Sequence, residues 1–187
     1  MSQRRVVVIH GYTANPEVNW FRWLQRELAA DGIAVEIPAL PDPQAPDRDA
    51  WVAAARAAIG AVDGETVIVG HSLGSITSLH VLDGLEEPWT LAGIVLVSGF
   101  DREVTGLPVL APFTAAPPDV AAMVDRIATR VVIASDDDEI VDPALSAALA
   151  GRLDAELVTV PGGGHFLDRQ GYVEFPQLAA IVRGAFG

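Results

Sequence analysis

Gly70-His71-Ser72-Leu73-Gly74 lies between Thr66-Val67-Ile68-Val69, a β-branched run that reads as a buried strand, and Ser75-Ile76-Thr77-Ser78-Leu79-His80-Val81-Leu82, which reads as a helix. A G-x-S-x-G at a strand-to-helix turn is the nucleophile-elbow pattern. Such a turn strains the backbone at its serine and lifts the hydroxyl clear of the sheet, onto a helix N-terminus whose dipole favours developing negative charge. The flanking glycines let strand and helix approach where a Cβ would collide.

Outward from the elbow, strand and helix alternate along the whole chain. Strands are expected at 5–9, 34–37, 66–69, 93–97, 130–134 and 156–160, and helices at 18–30, 48–61, 73–85, 119–127, 143–153 and 173–186. Several strands are nearly unbroken Val/Ile/Leu runs, the pattern of parallel strands covered on both faces. The alternation implies an α/β fold: one mostly parallel sheet of about six strands, right-handed crossovers, and helices on both faces. The 187 residues suit one domain spanning 1–187. Residues 100–118, which hold Pro108, Pro112, Pro117 and Pro118, read either as a short cap over the site or as a surface loop. Pro38-Ala39-Leu40-Pro41-Asp42-Pro43 forms a second proline-rich loop. Both follow the carboxyl ends of strands, where ligands bind in sheets of this kind.

Composition narrows the chemistry. Cysteine is absent, which excludes disulfides, thiolate metal sites and a cysteine nucleophile. All 12 basic residues are arginine, so lysine Schiff bases and a Ser–Lys dyad are excluded. A net charge of −13 argues against nucleic acid and anionic membrane surfaces as partners. No apolar run approaches the roughly 20 residues that span a bilayer. Val6–Ile9 is too short for the core of a secretory leader, so a cytoplasmic protein is expected.

A serine needs a base to take its proton. Of the 4 histidines, His10 ends the first strand, His71 is inside the elbow and His80 is mid-helix. His165 is carried by Pro161-Gly162-Gly163-Gly164-His165-Phe166 after the last strand, where a glycine-rich loop can bring it over the elbow. A carboxylate must then fix the imidazole, and candidates cluster in Ser135-Asp136-Asp137-Asp138-Glu139-Ile140-Val141-Asp142. Asp138 is the first choice, with Val141 packing beneath it, and Asp137 the second. The remaining acids read as solvated turn residues, one of them a cap for the next helix. The order Ser, Asp, His is that of α/β-hydrolases. The oxyanion donors are expected to be the backbone amides of Leu73 and Tyr12, the latter in His10-Gly11-Tyr12-Thr13. Trp20, Leu73, Phe100 and Phe166 are candidates for apolar pocket walls or for core.

These residues also resemble a family. Ile9-His10-Gly11-Tyr12, Trp20 with Trp23, Leu40-Pro41-Asp42-Pro43, the elbow, Val97-Ser98-Gly99-Phe100, Ala134 through Val141 and Gly163-Gly164-His165-Phe166 together resemble the small serine hydrolases related to bacterial YdeN and human retinoblastoma-binding protein 9. The resemblance implies the single-domain α/β-hydrolase fold with a minimal cap. It also implies Ser72, Asp138 and His165 as a triad, with carboxylesterase-type hydrolysis of a small-molecule ester and no cofactor or metal. Glu139 stands where that family commonly has proline, which leaves Asp137 open as the acid. The retinoblastoma contact of the human relative depends on a Leu-x-Cys-x-Glu motif, and a chain without cysteine does not carry it over. Two further readings stay open: a protein-binding module with an idle triad, and a thioesterase or peptidase using the same residues.

Overall fold

The computed structural model describes residues 3–187. Six parallel strands form one sheet in the order β2-β1-β3-β4-β5-β6. They are β1 (Arg5–Ile9), β2 (Ala34–Glu36), β3 (Thr66–His71), β4 (Leu91–Val97), β5 (Ile127–Ser135) and β6 (Glu156–Val160). The helices are α1 (Phe21–Ala29), α2 (Arg48–Ile59), α3 (Leu73–Asp83), the single-turn α4 (Ala111–Thr114), α5 (Pro143–Arg152) and α6 (Pro176–Gly184).

Side chains alternate across the strands and build two cores. Val6 and Val8, with Val67, Val69, Val95 and Val97, pack under Phe21, Leu24 and Leu28 of α1 and Leu178 and Val182 of α6. Val7 and Ile9, with Ile68, Ile94, Leu96 and Val132, pack under Trp51 and Ile59 of α2, Ile76 and Leu79 of α3, and Leu149 of α5. Each fully buried Val, Leu or Ile of this kind contributes about 1.5–3 kcal/mol. With both faces covered, the central strands are apolar throughout. α3, packed between sheet and neighbouring helices, is buried from Leu73 to Leu82.

Chain direction places the site. From β1 the chain steps to β2 at one edge, then returns past β1 to β3 and continues the other way. The carboxyl ends of β1 and β3 are therefore a topological switch point, where such sheets open a crevice. His10-Gly11-Tyr12 leaves one of these strands and Ser72 leaves the other.

Three expected helices differ. The segment expected as a helix at 119–127 is a 3-10 helix over Ala121–Arg126. It is confined between Pro117-Pro118 and the start of β5, and the tighter helix covers more length per residue. α1 starts at Phe21 rather than 18, because Asn19 is left-handed at φ 57°. α6 starts at Pro176 rather than 173, because the residue before a proline is driven from helical geometry and Phe175 sits outside it at φ −142°, ψ 72°. Residues 100–118 form the cap: a 3-10 turn at Pro108–Leu110 runs into α4, Phe113 is buried in the core, and Leu107 and Leu110 face the cavity described next.

Candidate active site

Ser72 sits at φ 54°, ψ −121°, a strained conformation for a residue with a side chain. Its own amide donates to Val97 of β4 at 2.8 Å, and its carbonyl accepts from Ser75 at 2.9 Å. The glycines do what the spacing implies. A Cβ on Gly70 would lie 2.6 Å from Ser75 Cα, and one on Gly74 would lie 2.0 Å from the Ile9 carbonyl oxygen.

Two loops meet the elbow. On the loop after β5, Asp138 Oδ1 accepts the amides of Ile140 at 2.9 Å and Val141 at 3.0 Å. Its Oδ2 accepts the Ser98 hydroxyl at 2.7 Å and the His165 Nδ1–H at 2.8 Å. Burial raises the Asp138 pKa, but the His165 bond and charge, the Val141 amide and Ser98 outweigh it, leaving the group below the ordinary carboxylate value. Because an ionised carboxylate only accepts, His165 Nδ1 carries the proton, and Nε2 of the neutral ring is an acceptor.

On the loop after β6, His165 is pinned rather than mobile. Gln170 Oε1 accepts the amides of His165 and Leu167, at 2.9 and 3.1 Å. The next residue, Phe166, is left-handed at φ 56° and stacks on Phe175 at 5.2 Å. Asp136 accepts the Gly162 amide, Ser135 that of Gly163 and Asp137 that of Gly164, at 2.9, 2.8 and 2.7 Å. Beneath, His71 Nε2–H donates to the His165 carbonyl at 2.9 Å. Burial first, then the neighbouring His165, push His71 down to about 3.

Ser72, His71 and His165 line one cavity of about 360 Å³ with Gly11, Tyr12, Leu107, Leu110 and Ile140 among its other walls. Among the described residues no hydrogen bond joins Ser72 to His165; in resting sites such bonds are often loose and tighten on substrate. A Cβ on Gly11 would lie 3.1 Å from Ser72 Cβ, so the first loop runs directly beside the elbow. The Tyr12 amide donates to no acceptor among the described residues. Leu73, first residue of α3, has no partner four residues back.

Asp138, not Asp137, meets His165. Asp137 is exposed and is spent on Ser135 and Gly164, and those two bonds hold its carboxyl below the usual range. Asp142 caps α5 through the Ala144 amide. The four apolar candidates resolve as core rather than as pocket walls. Trp20, Leu73, Phe100 and Phe166 are fully buried in the core, and Ala14, Val18, Leu107, Leu110 and Ile140 line the cavity instead. Not read from the sequence were the bond of Ser98 to Asp138, the role of Gln170, and the grip of Ser135 and Asp136 on the glycine loop. Among the described residues no three His, Asp or Glu side chains are grouped to hold a metal, and no helix is long and apolar enough to cross a membrane.

The sheet order and the elbow define an α/β-hydrolase. The chain belongs to the serine hydrolase family, whose model matches residues 6–183. It is similar to YdeN of Bacillus subtilis (strain 168), with 36% identity over 183 residues, covering 98% of this chain and 96% of that one. The crystal structure of YdeN superposes with a TM-score of 0.94 and covers 98% of both chains. A YdeN-like protein from Pectobacterium atrosepticum, 22% identical, matches at 0.69 over 98% of this chain and 92% of its own. Est1E from Butyrivibrio proteoclasticus, solved with ferulic acid, is 16% identical and matches at 0.67 over 96% and 86%; these two share the fold.

Proposed function

We propose that this serine hydrolase cleaves small carboxylic esters, with Ser72 as nucleophile, His165 as base and Asp138 as the acid that orients it. One observation carries the reading. The His165 Nδ1–H is held by the Asp138 carboxylate at 2.8 Å, which leaves Nε2 as the proton acceptor in a cavity that Ser72 also lines.

Ser72 Oγ attacks the ester carbonyl carbon while its proton passes to His165 Nε2. The carbonyl π electrons move onto oxygen, and the amides of Tyr12 and Leu73 receive the oxyanion. One such donor is worth about 3–4 kcal/mol. Asp138 stabilises the imidazolium. Collapse breaks the bond to the alcohol oxygen, which takes the proton from His165. Water then attacks the acyl-enzyme, giving its proton to His165, and the acid leaves as Ser72 regains its hydrogen. A cavity of about 360 Å³ under a one-turn cap suits a small substrate. A cytoplasmic site of action belongs to the same reading, and cell fractionation checks it.

The test is turnover of p-nitrophenyl acyl esters. Ser72→Ala is expected to lose about four to six orders of magnitude in kcat. A fluorophosphonate should label Ser72 and fail to label His165→Ala. Undiminished turnover in Ser72→Ala overturns the proposal. A reactive Ser72 with no ester turnover points to acyl–sulfur or acyl–nitrogen substrates, and an unreactive one to a binding protein.

A further inference from the structure

The chain carries 25 acidic residues against 12 arginines, and its arginines are nearly all occupied. Arg22, Arg48, Arg102, Arg126, Arg152 and Arg183 pair with carboxylates. Arg4 and Arg130 do so as well, while Arg5 and Arg56 donate to backbone carbonyls. Among the described residues only the Arg26 and Arg169 guanidinium groups have no partner. Arg26 is exposed on α1 and away from the cavity lining. Arg169 lines the cavity that holds Ser72 and His165.

The surroundings of Arg169 prepare it for a ligand. Its neighbour Asp168, the other charged group at the rim, turns its carboxylate back onto the Arg169 amide at 2.6 Å, and among the described residues no ion pair joins it to the guanidinium. Asn19 also lines the cavity. Its Oδ1 accepts the Asp168 amide at 3.0 Å, which leaves its NH₂ as a donor. A guanidinium and an amide NH₂ on one rim are matched to a carboxylate, whose two oxygens a planar arginine fork can engage with paired hydrogen bonds. Leu107, Leu110 and Ile140 supply apolar wall for the rest of the molecule. A protein of net charge −13 repels anions at long range, so an unpaired cation at the mouth of its site is where an anionic substrate would be admitted.

We propose that Arg169, helped by Asn19, selects esters that carry a carboxylate away from the scissile bond. The inference rests on the ester-hydrolase reading and names the substrate class within it. Matched pairs test it. On the acyl side, the p-nitrophenyl monoester of glutarate is compared with p-nitrophenyl valerate. On the alcohol side, p-acetoxybenzoate is compared with p-tolyl acetate. In at least one pair the wild type is expected to favour the anion about fivefold to tenfold in kcat/KM, the size of one exposed charge-assisted contact. The pair that shows it tells which half of the ester bears the charge. The ratio should collapse to about one in Arg169→Gln and survive in Arg26→Gln, which changes net charge equally.

Binding of the same esters to Ser72→Ala, by calorimetry, reads the subsite without turnover. The anion should bind more tightly, and Arg169→Gln should remove the difference. A wild type that hydrolyses neutral esters but shows equal ratios in Arg169→Gln and wild type overturns the subsite and leaves the hydrolase standing. Absent hydrolysis with an Arg169-dependent binding preference overturns the hydrolase reading and leaves the subsite standing. Equal or undetectable binding of charged and neutral esters overturns the subsite.

Discussion

At the elbow, Ser72 is placed by main chain alone. Its φ of 54° is locked between β3 and α3, with Gly70 and Gly74 in contact with backbone atoms and the Ser72 amide tied to Val97. On the loops after β5 and β6, Asp138 and His165 are placed largely by side-chain hydrogen bonds, joined at Asp138 by the amides of Ile140 and Val141. Ser135, Asp136 and Asp137 hold amides of the loop after β6, Gln170 holds two amides of its own loop, Ser98 holds the Asp138 carboxylate, and His71 holds the His165 carbonyl. A nucleophile held by sterics leaves no slack, so a change there is all or nothing. A base held by many separate bonds should lose alignment in increments.

The sharpest test of that contrast is Gly74→Ala. The added methyl would lie 2.0 Å from the Ile9 carbonyl, a collision between two pieces of backbone. A loss exceeding about 3 kcal/mol, or failure to fold, is expected from such overpacking. A Gly74→Ala protein with a wild-type denaturation midpoint would show that the elbow has slack after all.

Next comes Asp138→Asn. It is close to isosteric, yet it sets an amide where the His165 Nδ1–H expects a carboxylate, and it disturbs the acceptor shared with Ser98. The expected loss is about 10⁴ in kcat with an unchanged fold by circular dichroism, the typical cost of losing the correct imidazole tautomer. Ser98→Ala removes only one of the bonds at Asp138 and should cost about tenfold. Equal losses in the two variants would contradict placement in increments.

The two regions also differ in how far the sequence betrays them. The elbow was readable because steric exclusion demands glycine at fixed offsets, and β3 because a strand buried on both faces must be apolar. The pairing of Asp138 over Asp137 was only half readable, since neighbouring acids in a turn differ in direction and not in type. Ser98, Gln170 and Asp136 act on partners in other loops or strands, or on a loop amide with no residue signature of its own, so local patterns do not mark them. The pocket walls were not readable for another reason. Trp20, Phe100 and Phe166 are large apolar residues near the motifs, and that size and hydrophobicity draw them into the core, one of the two places the sequence leaves open for them. Smaller residues on loops were left to line the cavity.

His71 belongs to both regions, inside the elbow yet bonded to the His165 carbonyl, and its burial gives it a pH signature. The unfolded ring takes a proton near 6.5, whereas the folded one resists until about 3. Between those values the unfolded state binds more protons, so stability is full above about pH 6.5 and falls as pH drops toward 3. Burial lowers His10 and His80 as well, against weaker upward pulls from their backbone bonds, and both add to the same slope. Urea denaturation across that window should show a steeper slope in wild type than in His71→Asn, by about 1.4 kcal/mol per pH unit. Parallel slopes would mean that His71 is protonated in the folded protein.

The smallest effect is expected at Asp137. It is exposed and accepts from Gly164, one residue before the base, and from the Ser135 hydroxyl, while Asp136 and Ser135 hold the two preceding amides. With those bonds intact, Asp137→Ala should lower kcat/KM by about tenfold or less. Asp136→Ala should behave alike. The double variant leaves Ser135 as the last of the three anchors and should lose more than the product of the two single losses, because residues acting on one short loop are coupled. If the double variant merely multiplies the singles, each bond sets its own amide and the loop does not move as a body. A single Asp137→Ala loss as deep as that of Asp138→Asn would reverse the assignment of the acid.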